Sequence, residues 1–402
     1  LLTTSEFADA VRKGKGRAVL AVNGPVSQEF EDIILAACHE DQRCDSQLED
    51  NRTTYLMMLA DRAGITEKLL ESVLKPMKRS LDDWDRLLRI RILGQFAERG
   101  NEHCLGILRN LAQKSDTYAW DVLANSGDLE WLVVHILPTM PLDEKWRTGF
   151  WLEENPGLSE KAANALRASD AELEPIRTKN LMESETRELP KFDEALRKIK
   201  RSKRIVAGLT RLARSLTEEQ LSQVAQLWLR EREHRKARNY LRLIEGRKYP
   251  LPISDVIDLV KEGDPPIAFE EVLSEISNEL VREFGLDLIS GPAPDYRGFL
   301  CLRKSYLDSD LPIIVSNLER FWDLNEDDLH SLAIHLRELC ETMTPTERLP
   351  LMLWNYEHSP CSACRGWSAE ILIEDRTLPP HYLEEMILDA DSYSRELASK
   401  ER

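Results

Sequence analysis

Leu56-Met57-Met58-Leu59-Ala60-Asp61-Arg62-Ala63-Gly64, running into Ile65-Thr66-Glu67-Lys68-Leu69-Leu70, reads as a helix, a stop and a second helix. The phrase returns as Ile92-Leu93-Gly94-Gln95-Phe96-Ala97-Glu98-Arg99-Gly100 before Asn101-Glu102-His103-Cys104-Leu105, and again as Ala119-Trp120-Asp121-Val122-Leu123-Ala124-Asn125-Ser126-Gly127 before Asp128-Leu129-Glu130-Trp131-Leu132. Glycine suits the left-handed position that ends a helix, and the following Thr66, Asn101 or Asp128 is expected to cap the next one. Repeated antiparallel helix pairs predict an all-α chain, an α-solenoid.

Working outward, helical patterns are expected over 5–13, 26–38, 52–63, 67–79, 83–98, 102–113, 118–125 and 128–137, then over 191–215, 218–230 and 234–245, and from 296 through 400 with short breaks. Long β-branched alternation is absent, so no substantial sheet is expected. Prolines 265, 312, 345 and 379 are placed for first helical turns, where the missing N–H is not needed. The stretch 169–190, charged and short of apolar spacing, reads as a charged linker or irregular connection. It divides the chain into an N-terminal arm over 1–168 and a C-terminal arm over 191–402.

The Gly64, Gly100 and Gly127 turns lie 36 and 27 residues apart, too irregular for a fixed-period repeat. This drifting spacing resembles HEAT-like repeats, well over about residues 50–140 and loosely elsewhere. The resemblance implies a scaffold fold and brings no shared catalytic residues.

Of 402 residues 42% are hydrophobic, enough for a core, and the net charge is −17. Such a chain is repelled by nucleic acid and anionic membranes unless its charge is segregated. No apolar run approaches the ~20 residues of a membrane span, and the opening Leu1-Leu2-Thr3-Thr4-Ser5-Glu6 has no secretory-signal pattern. Seven scattered cysteines fit reduced thiols and a cytoplasmic setting.

The charge is segregated. Residues 197–248 hold sixteen Lys and Arg against five acids, a net of +11, which leaves −28 on the rest. On a continuous helix, Ile205, Val206, Leu209, Leu212, Ala213 and Leu216 share one face while Lys203, Arg204, Arg211 and Arg214 lie opposite. Farther along, Ala237, Tyr240, Leu241 and Ile244 share a face, with Arg235, Arg238 and Arg242 across from it. The belt reads as a solvated face, as a dock for an acidic protein surface, or as a phosphate-backbone site for nucleic acid. Few aromatics are interleaved, which argues against stacking of single strands.

Candidate chemistry is sparse. Cys361-Ser362-Ala363-Cys364 has the spacing of two zinc ligands with His358 as a third, but a structural site needs four and no second such pair exists. The plainer reading is a helix start with both thiols packed, and no cofactor is expected. Cys38-His39 and Cys44 form another polar cluster, but neighbours in sequence do not make a catalytic dyad by themselves, and residues 40–52 read as an inter-helix connection. Gly14-Lys15-Gly16-Arg17 lacks a P-loop ending and reads as a helix stop. His330 and His335 lie about 140° apart on a helix, too far to share a metal. No nucleophile elbow or His-Glu-x-x-His helix occurs.

The expectation is therefore a non-catalytic, cytoplasmic protein–protein interaction scaffold with Arg204, Arg211, Arg214, Arg235, Arg238 and Arg242 lining its dock. The alternative is a nucleic-acid binder, as some HEAT-like DNA glycosylases are. A third class, a bilin-lyase-like protein handling a tetrapyrrole, would need an apolar groove that nothing in the sequence demands.

Overall fold

The computed structural model describes residues 2–50, 52–75, 82–155, 157–173, 175, 190–202 and 204–401. It is all-helical, 69% helix, with no strand among the described residues. None of the described helices is long and apolar enough to cross a membrane.

The three quoted phrases fold as helix pairs, Thr53–Ala63 with Thr66–Val73, Asp83–Glu98 with Glu102–Gln113, and Thr117–Asn125 with Leu129–His135. Gly64, Gly100 and Gly127 take φ of +69°, +89° and +85°, the left-handed region where a side chain would be strained. The expected capping is realised only at Asn101, whose side chain accepts from the Cys104 N–H at 3.0 Å. Thr66 instead donates its hydroxyl to Asp61 at 2.8 Å. Asp128 has its carboxylate held by Arg109 in two 2.7 Å bonds. Thr66 stands inside the helix start with Ile65 at the cap position, and Asp128 turns to the helix Glu102–Gln113 instead of capping its own.

The chain forms two compact units. The first is Leu1–Glu185 together with Pro360–Arg402, and the second is Thr186–Ser359. This differs from a division into two consecutive arms, because 360–402 packs with the start of the chain. Ala390 N–H donates to Gly14 O at 2.9 Å, and Arg17 pairs with Glu385 at 2.8 Å. At Gly16 an added Cβ would meet Glu385 O at 1.8 Å, so only glycine admits this approach. Residues 169–171 end the helix Glu160–Ala171; most of the expected linker lies outside the described residues.

The first unit buries Phe7, Ile34, Tyr55, Leu59, Leu93 and Trp151 in one core. It also buries charge. Glu49 pairs with Arg52 at 2.7 Å and accepts from Ser362 N and Oγ at 2.9 and 2.7 Å. Arg365, 1% exposed, pairs with Asp389 at 3.2 Å. Burial raises the Glu49 carboxyl, yet the Arg52 cation and the Ser362 donors overcome it and hold the group at about 2.

In the second unit Trp228, Tyr240, Phe269, Phe284 and Cys301 are core residues, and Trp228 Nε1–H donates to Ile267 O at 2.9 Å. The helix expected over 191–215 is interrupted. It runs Phe192–Arg201, then residues 202 and 204–208 are non-helical, and Leu209–Ala213 resumes it. Ser202 starts the break by exchanging hydrogen bonds with the Arg204 backbone at 2.8 and 3.0 Å, and Gly208 ends it at φ +83°. Ile205, expected in the core, is consequently 57% exposed. Pro312 and Pro345 do start helices, and Pro379 stands just before one that begins at Pro380. Pro265 instead lies in a connection. The tryptophans divide, with Trp84, Trp146 and Trp322 exposed and Trp120, Trp151, Trp228 and Trp354 buried.

Candidate functional site: a basic-walled groove in the second unit

The basic helix His234–Ile244 places Arg235, Arg238 and Arg242 at successive turns of one face, while Ala237, Tyr240, Leu241 and Ile244 are buried. That face opens onto a groove of about 1650 Å³ formed wholly within the second unit. Its near wall, residues 204–249, carries Arg204, Arg235, Arg238, Arg242, Arg247 and Lys248 and one acid, the exposed Glu245. Apolar surface comes from Ile205, Leu241, Ile244, Tyr249, Val272, Ile276, Leu300 and Ile334, and the far side carries Glu271, Glu275, Arg303 and Glu338.

Arg204 reaches this groove by a route that helical periodicity did not anticipate. Asn239, fully buried, accepts from the Val206 N–H at 2.9 Å and donates to Arg204 O at 3.2 Å. A buried amide satisfied this way fixes the 204–206 loop against the basic helix. Of the seven cations expected on the two basic faces, Arg204, Arg235, Arg238 and Arg242 are thereby gathered. Arg211 and Arg214 are exposed on and after the helix Leu209–Ala213 and do not line the groove. Lys203 lies outside the described residues. Arg197, Lys198 and Arg201 line a separate, more open hollow with Glu194, Ser202 and Val206.

The groove cations are not equivalent. Arg238 is paired with Glu271. Arg247 donates to Ala213 O at 2.9 Å and lies 3.5 Å from Glu218. Arg303 reaches Glu275 at 3.3 Å and Glu338 at 3.4 Å, and Lys304 also pairs with Glu275. Arg204, Arg242 and Lys248 have no acidic partner among the described residues. The near wall therefore keeps positive charge to spare, while the far carboxylates are already matched. The sequence count of +11 contained no information on this division.

Two polar atoms in the lining lack a hydrogen-bond partner, the Tyr249 hydroxyl and His335 Nδ1. Burial pushes the Tyr249 phenol up and the His335 imidazole down to about 4, so that ring is neutral at ordinary pH. Nothing in the sequence marks Tyr249, and His335 is weighed there only as a metal ligand beside His330.

The other candidates are placed as follows. Cys361 precedes the helix Ser362–Glu374 and Cys364 lies in its first turn, both buried in the first unit. A hydrogen bond with Cys361, together with burial, pushes the Cys364 thiol far up and away from the thiolate. His358 ends a helix of the second unit, stacked on Trp354 with ring centroids 4.6 Å apart. All seven cysteines are thiols. Burial pushes the Cys38 thiol up to about 12, and His39 bonds Ser72 at 3.0 Å, which is not the geometry of a nucleophilic pair. Gly14, at φ +72°, ends the first helix, and Lys15 stands before the next.

No family model matches this chain. No curated protein or solved structure matches it either.

Proposed function

We propose that the chain is a non-catalytic, cytoplasmic scaffold of HEAT-like character, and that its second unit docks a protein partner in the basic-walled groove. The observation that carries this reading is the trio Arg204, Arg242 and Lys248, cationic, without an acidic partner among the described residues, and set beside apolar surface. A groove of about 1650 Å³ exceeds the roughly 300–1,000 Å³ of ordinary small-molecule sites. The arginines suit bidentate contact with carboxylates, and the apolar floor supplies the desolvated centre that a protein interface needs.

The test is capture from source lysate with the purified full chain, with and without nuclease. The expected result is a stoichiometric, nuclease-resistant partner whose recovery falls about tenfold or more, the equivalent of 1.4 kcal/mol, with the Arg204→Glu/Arg242→Glu variant. Arg211→Glu/Arg214→Glu, outside the groove, should leave recovery unchanged. Equal loss from both variants would sink the groove as the dock. Loss of all partners on nuclease treatment, with steep salt dependence, would replace the reading with nucleic-acid binding.

A further inference from the structure

Resting on the protein-partner reading, we infer that the groove recognises a short acidic segment built around one apolar anchor, and discriminates against an evenly charged polyanion. Three observations support the inference. Asn239 ties the 204–206 backbone to the helix that carries Arg242, so two cations without acidic partners line one wall and Lys248 follows just beyond the helix end. The same lining contains Ile205, 57% exposed, and the buried Leu241. An aliphatic side chain left in water among guanidiniums is a ready contact for a partner's own apolar residue.

The third observation sets the limit of the positive field. Among the other lining residues, Glu271 is ion-paired with Arg238, and Glu275 with Arg303 and Lys304. None of these cations is left over. A nucleic-acid backbone, which carries charge at regular intervals, would have to run phosphates past those carboxylates. Two or three clustered carboxylates next to an isoleucine, leucine or aromatic ring need only Arg204, Arg242 and Lys248. Like-charge juxtaposition against the wrong ligand is an ordinary route to specificity.

The experiment is selection of a random phage-displayed peptide library on the full chain and, in parallel, on the Arg204→Glu/Arg242→Glu variant, with a random single-stranded DNA library as a second probe. The expected peptides carry clustered Asp or Glu beside a large apolar residue. Resynthesised, such a peptide should bind Arg242→Glu and Ile205→Asp about tenfold more weakly and Arg211→Glu within about twofold of the unaltered chain. Neutral or basic peptides that the double variant no longer binds would overturn the acidic class and leave the groove as a dock. Peptides indifferent to the double variant would remove the dock itself. Enrichment of DNA alone would overturn both, and enrichment of nothing would overturn this inference.

Discussion

The buried charges of the first unit and the groove cations of the second are built from the same side chains and differ in what stands opposite them. Arg365 is 1% exposed and faces Asp389, which is 2% exposed; Arg52 faces Glu49 and Glu49 also takes two bonds from Ser362. Arg204, Arg242 and Lys248 line the groove without an ion pair to any carboxylate of the described chain. A desolvated guanidinium is tolerated only when its charge is matched nearby, so the first set is bound into the fold. The second set remains hydrated and can exchange water for a ligand. Arginine content alone separates neither set from the other.

The largest effect should come from breaking the buried set. Arg365→Ala leaves Asp389 buried without its cation, and the expected loss is about 3–5 kcal/mol. Replacing both members, as Arg365→Met with Asp389→Leu, should recover much of it, because apolar pairs of similar volume avoid the desolvation cost. Hydrogen exchange of the Thr53–Ala63 amides in the full chain reads the first unit without assuming a single unfolding transition. Unchanged protection in Arg365→Ala would show that this pair does not hold the unit together.

Acid should reach the same region by another route. Glu49 is held at about 2 against an ordinary 4.5. A carboxyl lowered on folding contributes its full share above the unfolded value. That share, about 3 kcal/mol at 1.36 kcal/mol per pH unit, is lost as pH falls from 4.5 toward 2. Glu49→Gln should start less stable near neutrality and show a shallower acid slope over that window. Parallel pH profiles for the two proteins would contradict the assignment.

Close backbone approach is the next test of how the first unit closes. Gly16→Ala places a Cβ where Glu385 O now sits, and overpacking of this kind costs about 1–3 kcal/mol. Gly106→Ala, where nothing lies within 4 Å, is the control and should be neutral or slightly stabilising in its helix. Exchange protection of both chain ends should drop together in Gly16→Ala; a drop confined to one end would argue against their joint packing.

What the sequence revealed follows the range of the interaction. The Gly64, Gly100 and Gly127 stops were legible because a left-handed residue is a local requirement. The Arg235–Arg238–Arg242 ridge was legible because helical periodicity alone puts them on one face. Arg204 reached the same groove through a buried amide at Asn239, distant in sequence and unremarkable in composition. Periodicity misread Ile205 as core because Ser202 and Gly208 break a helix whose apolar spacing continues through the break. The closure of 360–402 onto the chain start rests on Gly16 against Glu385, a pairing that no local pattern records. Above all, a count of charges says nothing about which are matched, and that matching decides which arginines belong to the candidate site.

The smallest expected effect is also the one that bears most directly on the comparison. Arg238 sits on the same helix face as Arg242, one turn away, but is paired with Glu271 in a setting where both side chains are about two-fifths exposed, 40% and 43%. Exposed ion pairs contribute about 0.2–1 kcal/mol, so Arg238→Ala should lower second-unit stability by no more than that, and less at high salt. Arg242→Ala should not change it measurably. In binding the order reverses. Arg242→Ala removes a cation that a ligand would meet directly, whereas Arg238→Ala removes one already neutralised, although it leaves the Glu271 carboxylate facing the groove. Urea titration at low and high salt, set beside affinity for an acidic peptide, separates the two. If the variants rank alike in both measurements, pairing within the chain does not determine which groove cations act on a partner.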